Sequence, residues 1–154
     1  MYQIDVKYIN PFLESIIDVF KEKFSISVNH EKPYIKKDEV AEGIITAIIV
    51  INGDITGSLS ITLSEEFFKK IFGFKDVEEI DNKITEKFGE IINEITKRSI
   101  DKLKNEDVNI ETTIPSIISG KSHTIQHIYS KPIIALPFNS DSGRFIIEFT
   151  FKKN

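Results

Sequence analysis

A carboxylate and an amide three residues apart stand out as side chains that could act together. Glu90 and Asn93 fall in the segment GEIIN, residues 89–93, and a spacing of three places both on one face of a helix. An amide offers a hydrogen-bond donor and an acceptor, so Asn93 could hold a water in line with a phosphoryl group. Glu90 could pair with a cation on a partner. Such a pair supplies positioning more than covalent chemistry, which suits phosphoryl transfer.

The pair belongs to a predicted amphipathic helix, residues 82–104, whose apolar residues recur with helical period. Spacings of four, three and four place one polar stripe on its opposite face: Glu86, Glu90, Asn93 and Lys97. Gly89 lowers helix propensity by about 1 kcal/mol relative to Ala, which indicates close packing or close approach by a partner. Polar helix faces are common, so periodicity alone leaves open whether the stripe is a site or a solvated surface.

Composition argues against several other kinds of site. The chain has no Cys, which excludes disulfides, thiol chemistry and thiolate metal sites. Its net charge of -4, without a long basic run, argues against nucleic acid or an anionic membrane as a partner. His123 and His127 could share a face, but no nearby carboxylate cluster completes a metal site. With no nucleophile elbow, Walker loop or dinucleotide fingerprint either, we expect no metal and no cofactor of its own.

Size and hydropathy predict one domain. The 154 residues, 40% of them apolar and twelve of them Phe, are enough for a single core over residues 1–154. No apolar run approaches the roughly 18–20 residues that a bilayer span needs, and residues 1–12 lack the features of a signal peptide. We therefore expect a soluble cytoplasmic protein.

The order of predicted elements indicates the fold class. Helices are predicted at 9–24, starting at the Asn10-Pro11 signal, at 65–72 after the cap residue Ser64, and at 82–104. Residues 75–81 are predicted to be a linker. Strands are predicted at 42–51, 55–63, 108–113, 131–138 and 144–152, with an edge strand or loop at 25–37, a bulge or turn at Ser119-Gly120 and a hairpin loop at 139–143. This order predicts an α+β fold, a mostly antiparallel sheet with helices packed against it.

The helix motif and a segment after it resemble the CheX family of chemotaxis phosphatases, which belongs with CheC and the middle domains of FliM and FliY. That family's pattern is an E-x-x-N pair on a helix with a Pro just over twenty residues downstream. Here 21 residues, 94–114, separate Asn93 from Pro115, which lies in the segment I-P-S-I-I-S-G at 114–120. The order of elements agrees along nearly the whole chain, and the presence of one E-x-x-N pair within a predicted helix, not two, favours CheX over CheC.

The resemblance implies a CheC-like fold and a function: hydrolysis of the aspartyl phosphate of a phosphorylated CheY-type response regulator. The regulator would bring the phosphate, Mg²⁺ and a Lys. By this likeness Glu90 and Asn93 are the catalytic residues, Glu90 pairing with the regulator's Lys and Asn93 orienting the attacking water. Three residues of the same helix are predicted to contact the partner: Glu86, Gly89 and Lys97. The family often has Asp or Ser where this chain has Glu86, and its members tend to form homodimers by joining sheets.

Two other hypotheses fit the same stripe. The first is a non-catalytic module that binds a regulator without hydrolysing its phosphate, as in flagellar-switch proteins of the FliM and FliY type. The second is a structural dimer whose polar stripe is only solvated.

Overall fold

Helices packed on an antiparallel sheet confirm the predicted α+β class. The computed structural model describes residues 6–73, 80–121, 123–127 and 132–154, so most of the predicted linker at 75–81 lies outside the described residues. Within these ranges the helices are α1 (Val6–Phe24), α2 (Glu65–Phe72) and α3 (Asn82–Asn105), and the strands are β1 (Asn29–His30), β2 (Tyr34–Lys36), β3 (Ile45–Gly53), β4 (Ile55–Leu63), β5 (Ile110–Thr112), β6 (Ser116–Ser119), β7 (Ile133–Ser140) and β8 (Gly143–Lys153). None of these helices combines the length and apolar character that a membrane span requires.

The described strands form one sheet in the order β1-β7-β8-β4-β3-β5, and every pairing in it is antiparallel. β2 pairs with β7 beside β1, which confirms an edge strand in the segment 25–37, and β6 pairs with β3 beside β5. The hairpin loop predicted at 139–143 is too long, because the pairing continues to Ser140 and Gly143 and leaves two residues in the turn. Gly143 takes a φ of +116°, which is costly for other residues.

An aromatic cluster joins two helices to the sheet. The ring of Phe145 on β8 lies 5.2 Å from Phe20 of α1, 5.0 Å from Phe67 of α2 and 4.8 Å from Phe138 of β7, measured between centroids. All four side chains are fully buried. Because aromatic side chains bury large areas, this cluster is the centre of the core under α1 and α2.

The predicted start of the first helix is wrong. The chain is already helical at Val6, so Pro11 lies inside α1 instead of opening it. A proline ring removes one helical hydrogen bond and disturbs the preceding turn, at a cost of about 3 kcal/mol. Burial of Tyr8 and Ile9 offsets this, since a buried large apolar side chain contributes about 1.5–3 kcal/mol. The extra turn therefore forms because it extends the apolar face of the helix.

The long helix α3 begins and ends within one residue of the prediction. Asp81 caps it, with Oδ1 accepting a hydrogen bond from the Ile84 amide at 3.0 Å. It packs against α1 and against the edge formed by β3, β5 and β6. Its buried side is a row of mostly apolar residues: Ile84, Phe88, Ile91, Ile92, Ile95, Thr96, Ser99 and Leu103. This row sets which side of the helix faces solvent.

The edge strand beside α3 contains one extra residue. β5 pairs with β3 as Ile51 opposite Thr112, whereas β6 pairs as Ile48 opposite Ser116. Three residues, 113–115, therefore face two on β3, which is a β-bulge. β6 was not predicted as a strand, because the bulge resets the alternation on which a strand prediction depends. The turn predicted at Ser119-Gly120 is where β6 ends, and Gly120 has a φ of +139°.

Replacing Phe145 by Ala should lower the free energy of unfolding by about 3–5 kcal/mol, because the change leaves a cavity at the centre of the aromatic cluster. Urea denaturation followed by circular dichroism measures the loss. Phe24→Ala at the half-buried end of α1 is the control and should cost much less. Equal losses for the two variants would show that the cluster is not the centre of the core.

Candidate functional site

The structure exposes the predicted polar stripe of α3. Glu86, Glu90, Asn93 and Lys97 are all exposed to solvent, while the buried row of the helix faces α1 and the sheet. The spacing argument therefore placed the four side chains on the correct side. It gave no information about what lies next to them.

A shallow, open depression of about 400 Å³ lies between α3 and the bulged edge strand. We call it the α3 groove. It brings together residues that are far apart in the chain: Thr85, Glu86, Gly89, Glu90, Asn93, Ile114, Pro115 and Ile117. Four of the five predicted site residues line it, and so does the proline that completes the sequence pattern. Lys97 lies one helical turn further along the stripe and is not part of the lining.

The bulge fixes the position of Pro115 on the wall of the α3 groove. On one side of it, the Thr113 amide donates to the Val50 carbonyl at 3.0 Å, and the Val50 amide donates to Thr113 Oγ1 at 3.0 Å. On the other side, Ser116 resumes regular pairing with Ile48. A proline has no amide donor, so it fits a bulge, where strand pairing is interrupted. The wall of the groove is thus fixed to β3 on both sides of the proline.

Gly89 forms part of the groove where the backbone of α3 is bare. A Cβ built at this position would have a single neighbour within 4 Å, Ile117 Cδ1 at 3.7 Å, which is ordinary van der Waals contact. Packing within the described chain therefore does not require a glycine here. Of the two explanations for a mid-helix glycine, close approach by a partner is the one that the geometry favours.

The charges at the groove are available to a partner. Within the described ranges, neither Glu86 nor Glu90 is in an ion pair, whereas the next acid along the helix, Glu94, contacts Arg98 at 3.0 Å. Together with the exposed amide of Asn93, the groove presents two carboxylates and one donor–acceptor group. This set can bind a cation and orient a water, but the described residues contain no group of three His, Asp or Glu side chains able to hold a metal ion.

His123 and His127 belong to a polar layer on the other face of the sheet. His123 Nε2 lies 2.7 Å from Thr46 Oγ1, and His127 Nδ1 lies 2.6 Å from Ser58 Oγ. His127 Nε2 is also 3.5 Å from Glu148 Oε1, so a Ser, a His and a Glu stand in sequence. Ser58 and Glu148 are both buried, and Ser58 is fully so. This arrangement, which sequence analysis did not find, offers no nucleophile to a substrate.

Residues 45–139 match the protein family described as "Chemotaxis phosphatase CheX". The match spans more than half of the chain and contains the whole α3 groove. The chain belongs to the CheX family.

Solved structures place this CheX-family chain in the same fold. A CheC-like superfamily protein from Shewanella sp. PV-4 is 34% identical, with a TM-score of 0.84, over 97% of this chain and 99% of that one. The chemotaxis protein CheX from Vibrio vulnificus is 33% identical, with a TM-score of 0.81, over 95% and 99%. The CheX of a CheX–CheY–BeF3–Mg²⁺ complex from Borrelia burgdorferi is 20% identical, with a TM-score of 0.73, over 98% and 100%, and shares the fold. No curated protein sequence is significantly similar to the chain.

Sequence analysis missed three of the residues that line the groove of this CheX-family chain: Thr85, Ile114 and Ile117. Thr85 carries no signal beyond being next to Glu86. Ile114 and Ile117 lie in the segment that supplied Pro115, but the bulge that turns this segment toward α3 is a property of pairing between distant strands. Alternation along 108–120 could not reveal it.

Gly89→Ala should raise the free energy of unfolding by roughly 0.5–1 kcal/mol, because alanine favours the helix and the new methyl group makes only an ordinary van der Waals contact with Ile117. Urea denaturation measures the change. Gly57→Ala is the control and should destabilise the protein, since a Cβ there would lie 2.0 Å from the Thr150 carbonyl oxygen. A destabilised Gly89→Ala protein would show instead that packing within the chain requires the glycine.

Proposed function

We propose that this chain is a protein phosphatase that hydrolyses the aspartyl phosphate of a phosphorylated CheY-type response regulator. One observation carries the proposal: an exposed carboxylate and an exposed amide, Glu90 and Asn93, lie together in a groove whose far wall is Pro115. Membership of a family described as a chemotaxis phosphatase supports the reaction class. The complex of the Borrelia burgdorferi CheX with CheY supports the choice of partner.

Asn93 and Glu90 have separate roles in the proposed reaction. The carbonyl oxygen of the Asn93 side chain accepts a hydrogen bond from a water and holds it in line with the phosphorus atom. Water oxygen forms the new bond to phosphorus, the bond from phosphorus to the aspartyl oxygen breaks, and inorganic phosphate and a free carboxylate result. Glu90 pairs with the regulator's Lys and so fixes the amide relative to the phosphoryl group. The regulator's Mg²⁺ neutralises charge on that group.

These two roles require neither a nucleophile nor a metal ion from this chain. Positioning a water converts a step between free molecules into one within a complex, and well-oriented groups can gain several kcal/mol in this way. Glu86, Gly89 and Lys97 complete the surface that contacts the regulator. Glu86 adds a second carboxylate to the groove, and Gly89 lets the regulator approach the helix backbone. Lys97 extends the contact along the exposed stripe.

The proposal also includes the domain organisation, the cellular location and the oligomeric state of the chain. Residues 1–154 form one CheX-like domain, which acts in the cytoplasm as a homodimer joined through sheet edges. The edge at β2 supports this geometry, because Tyr34 and Ile35 on it and Val40 near it are exposed apolar or aromatic side chains. An exposed strand edge with apolar side chains readily pairs with a second chain.

The chain should speed up the release of phosphate from the regulator, and Asn93→Ala should reduce this increase in rate by about 100-fold. The reason is that the attacking water is no longer oriented. The measurement is release of inorganic phosphate from a phosphorylated CheY-type regulator, with and without the variant. The protein should stay folded, since Asn93 is exposed. Asn105→Ala makes the same change at the exposed end of α3, outside the groove, and should keep full activity.

Three outcomes separate the hypotheses for this stripe. A fully active Asn93→Ala protein would mean that the wrong residue was chosen. Binding of the regulator by the unaltered chain without faster phosphate loss would favour the non-catalytic binding module. Neither binding nor acceleration with any of several regulators would leave the stripe as a solvated surface.

Ile35→Lys should convert the proposed dimer to a monomer, because a charge would then replace an apolar side chain that is 55% exposed on the edge strand. Size-exclusion chromatography with light scattering measures the mass. Lys153→Glu near the end of β8 also changes charge, away from this edge, and should leave the mass unaltered. A wild-type chain that is monomeric at micromolar concentration would contradict the proposed dimer.

A further inference from the structure

A large apolar side chain on the wall of the α3 groove has no role in the proposed reaction. Ile114 is 84% exposed, although it is flanked by backbone that is fixed to the sheet. Burying an isoleucine contributes about 1.5–3 kcal/mol, and the folded chain alone gains almost none of this. Single exposed apolar residues are common on protein surfaces. This one differs because it lines the same depression as Glu90 and Asn93.

The bulge holds the main chain of Ile114 in place. Thr113 before it is bound to Val50 through two hydrogen bonds of 3.0 Å, and Pro115 after it has a restricted φ. One residue later Ser116 is again paired with β3. A bulge at a sheet edge commonly re-aims a side chain next to a site. The main chain at such a position loses little further conformational freedom when a partner covers the side chain.

The surroundings of Ile114 define what can cover it. Across the groove lie two carboxylates without an ion-pair partner in the described part of the chain, Glu86 and Glu90, and the bare helix backbone at Gly89. A complementary surface carries a cation and an apolar patch a few ångströms apart. A second copy of this chain that docks through the same groove does not match this, because that groove is also acidic. The proposed regulator does, since its Lys is the group that Glu90 engages.

We propose that Ile114 is the apolar anchor by which the chain binds the receiver domain of the phosphorylated regulator, next to the Lys paired with Glu90. The identity of the partner rests on the proposed function; the anchor itself rests on the exposure and the fixed support of Ile114. It is a binding residue and not a catalytic one, because it contacts neither the phosphoryl group nor the water. It stabilises the ground state and the transition state of the complex equally, which lowers KM and leaves kcat unchanged.

The test compares full-length variants against the regulator loaded with beryllofluoride and Mg²⁺, a stable mimic of the phosphorylated form. Ile114→Ser should raise the Kd by at least tenfold, equivalent to about 1.4 kcal/mol, and raise KM in the phosphate-release assay with kcat unchanged. Ile114→Leu should bind like the unaltered chain. Ile118→Ser is the matched control, because Ile118 is 36% exposed on the same edge strand but does not line the groove. It should leave the Kd unchanged.

Several results would contradict the proposal that Ile114 is the apolar anchor. An unchanged Kd for Ile114→Ser does so, and so does a fall in kcat at constant KM. A change in oligomeric mass at an unchanged Kd would identify a second copy of the chain as the occupant instead. If the unaltered chain binds the regulator but does not accelerate phosphate loss, the phosphatase proposal fails. A higher Kd for Ile114→Ser would in that case still support Ile114 as the apolar anchor. If it binds no regulator at all, both proposals fail.

Discussion

The orientation of α3 about its own axis is the constraint on which the site depends. Successive residues of a helix are about 100° apart, so a rotation by one position would turn Ile91 toward the groove and Glu90 away from it. Apolar burial along the helix prevents this, at about 1.5–3 kcal/mol for each large side chain. The ion pairs of Arg98 with Glu22 and of Lys102 with Glu14 join α3 to α1 at the surface. Such exposed pairs contribute only about 0–1 kcal/mol each, so packing decides the orientation.

The second wall of the groove depends on a single extra residue in the edge strand. Without the bulge at 113–115, β6 would continue in the register of β5, and each of its side chains would point to the opposite face. Ile117 would then no longer lie near Gly89, and Pro115 would have to occupy a regular paired position. The helix and the bulge are both anchored to β3, directly or through β5 and β6. The sheet therefore sets the distance across the groove.

Two features of the groove lower the stability of the isolated chain. Gly89 weakens a helix at a position where a side chain would fit, and Ile114 leaves an apolar side chain in water. Each forgoes stability that an ordinary residue would supply. Both become reasonable when a partner covers the groove, because the glycine then provides clearance and the isoleucine is buried at the interface. Both features therefore support the proposal that another protein completes the site.

The sequence by itself determined most of the elements, with the exception of β6 and the start of α1, and it determined the side of α3 that carries the polar stripe. Period and capping residues are local, so the limits of α2, α3 and β4 follow from the residues within them, and the antiparallel sheet follows from the order of elements. The E-x-x-N pair with Pro115 at its spacing also identified the family. Pro11 was wrongly predicted to open α1. It lies inside the helix, because burial of Tyr8 and Ile9 offsets the free-energy cost of a proline there.

Only the tertiary structure decided what surrounds the stripe. The bulge arises from pairing with β3, more than sixty residues earlier in the chain, and no local pattern encodes it. For the same reason sequence analysis missed Ile114 and Ile117 in the groove and did not find His127 beside Ser58 and Glu148. Lys97 satisfies the same spacing rule as Glu90 and yet lies outside the groove. Periodicity fixes the face on which a side chain lies, whereas packing between distant segments fixes its neighbours.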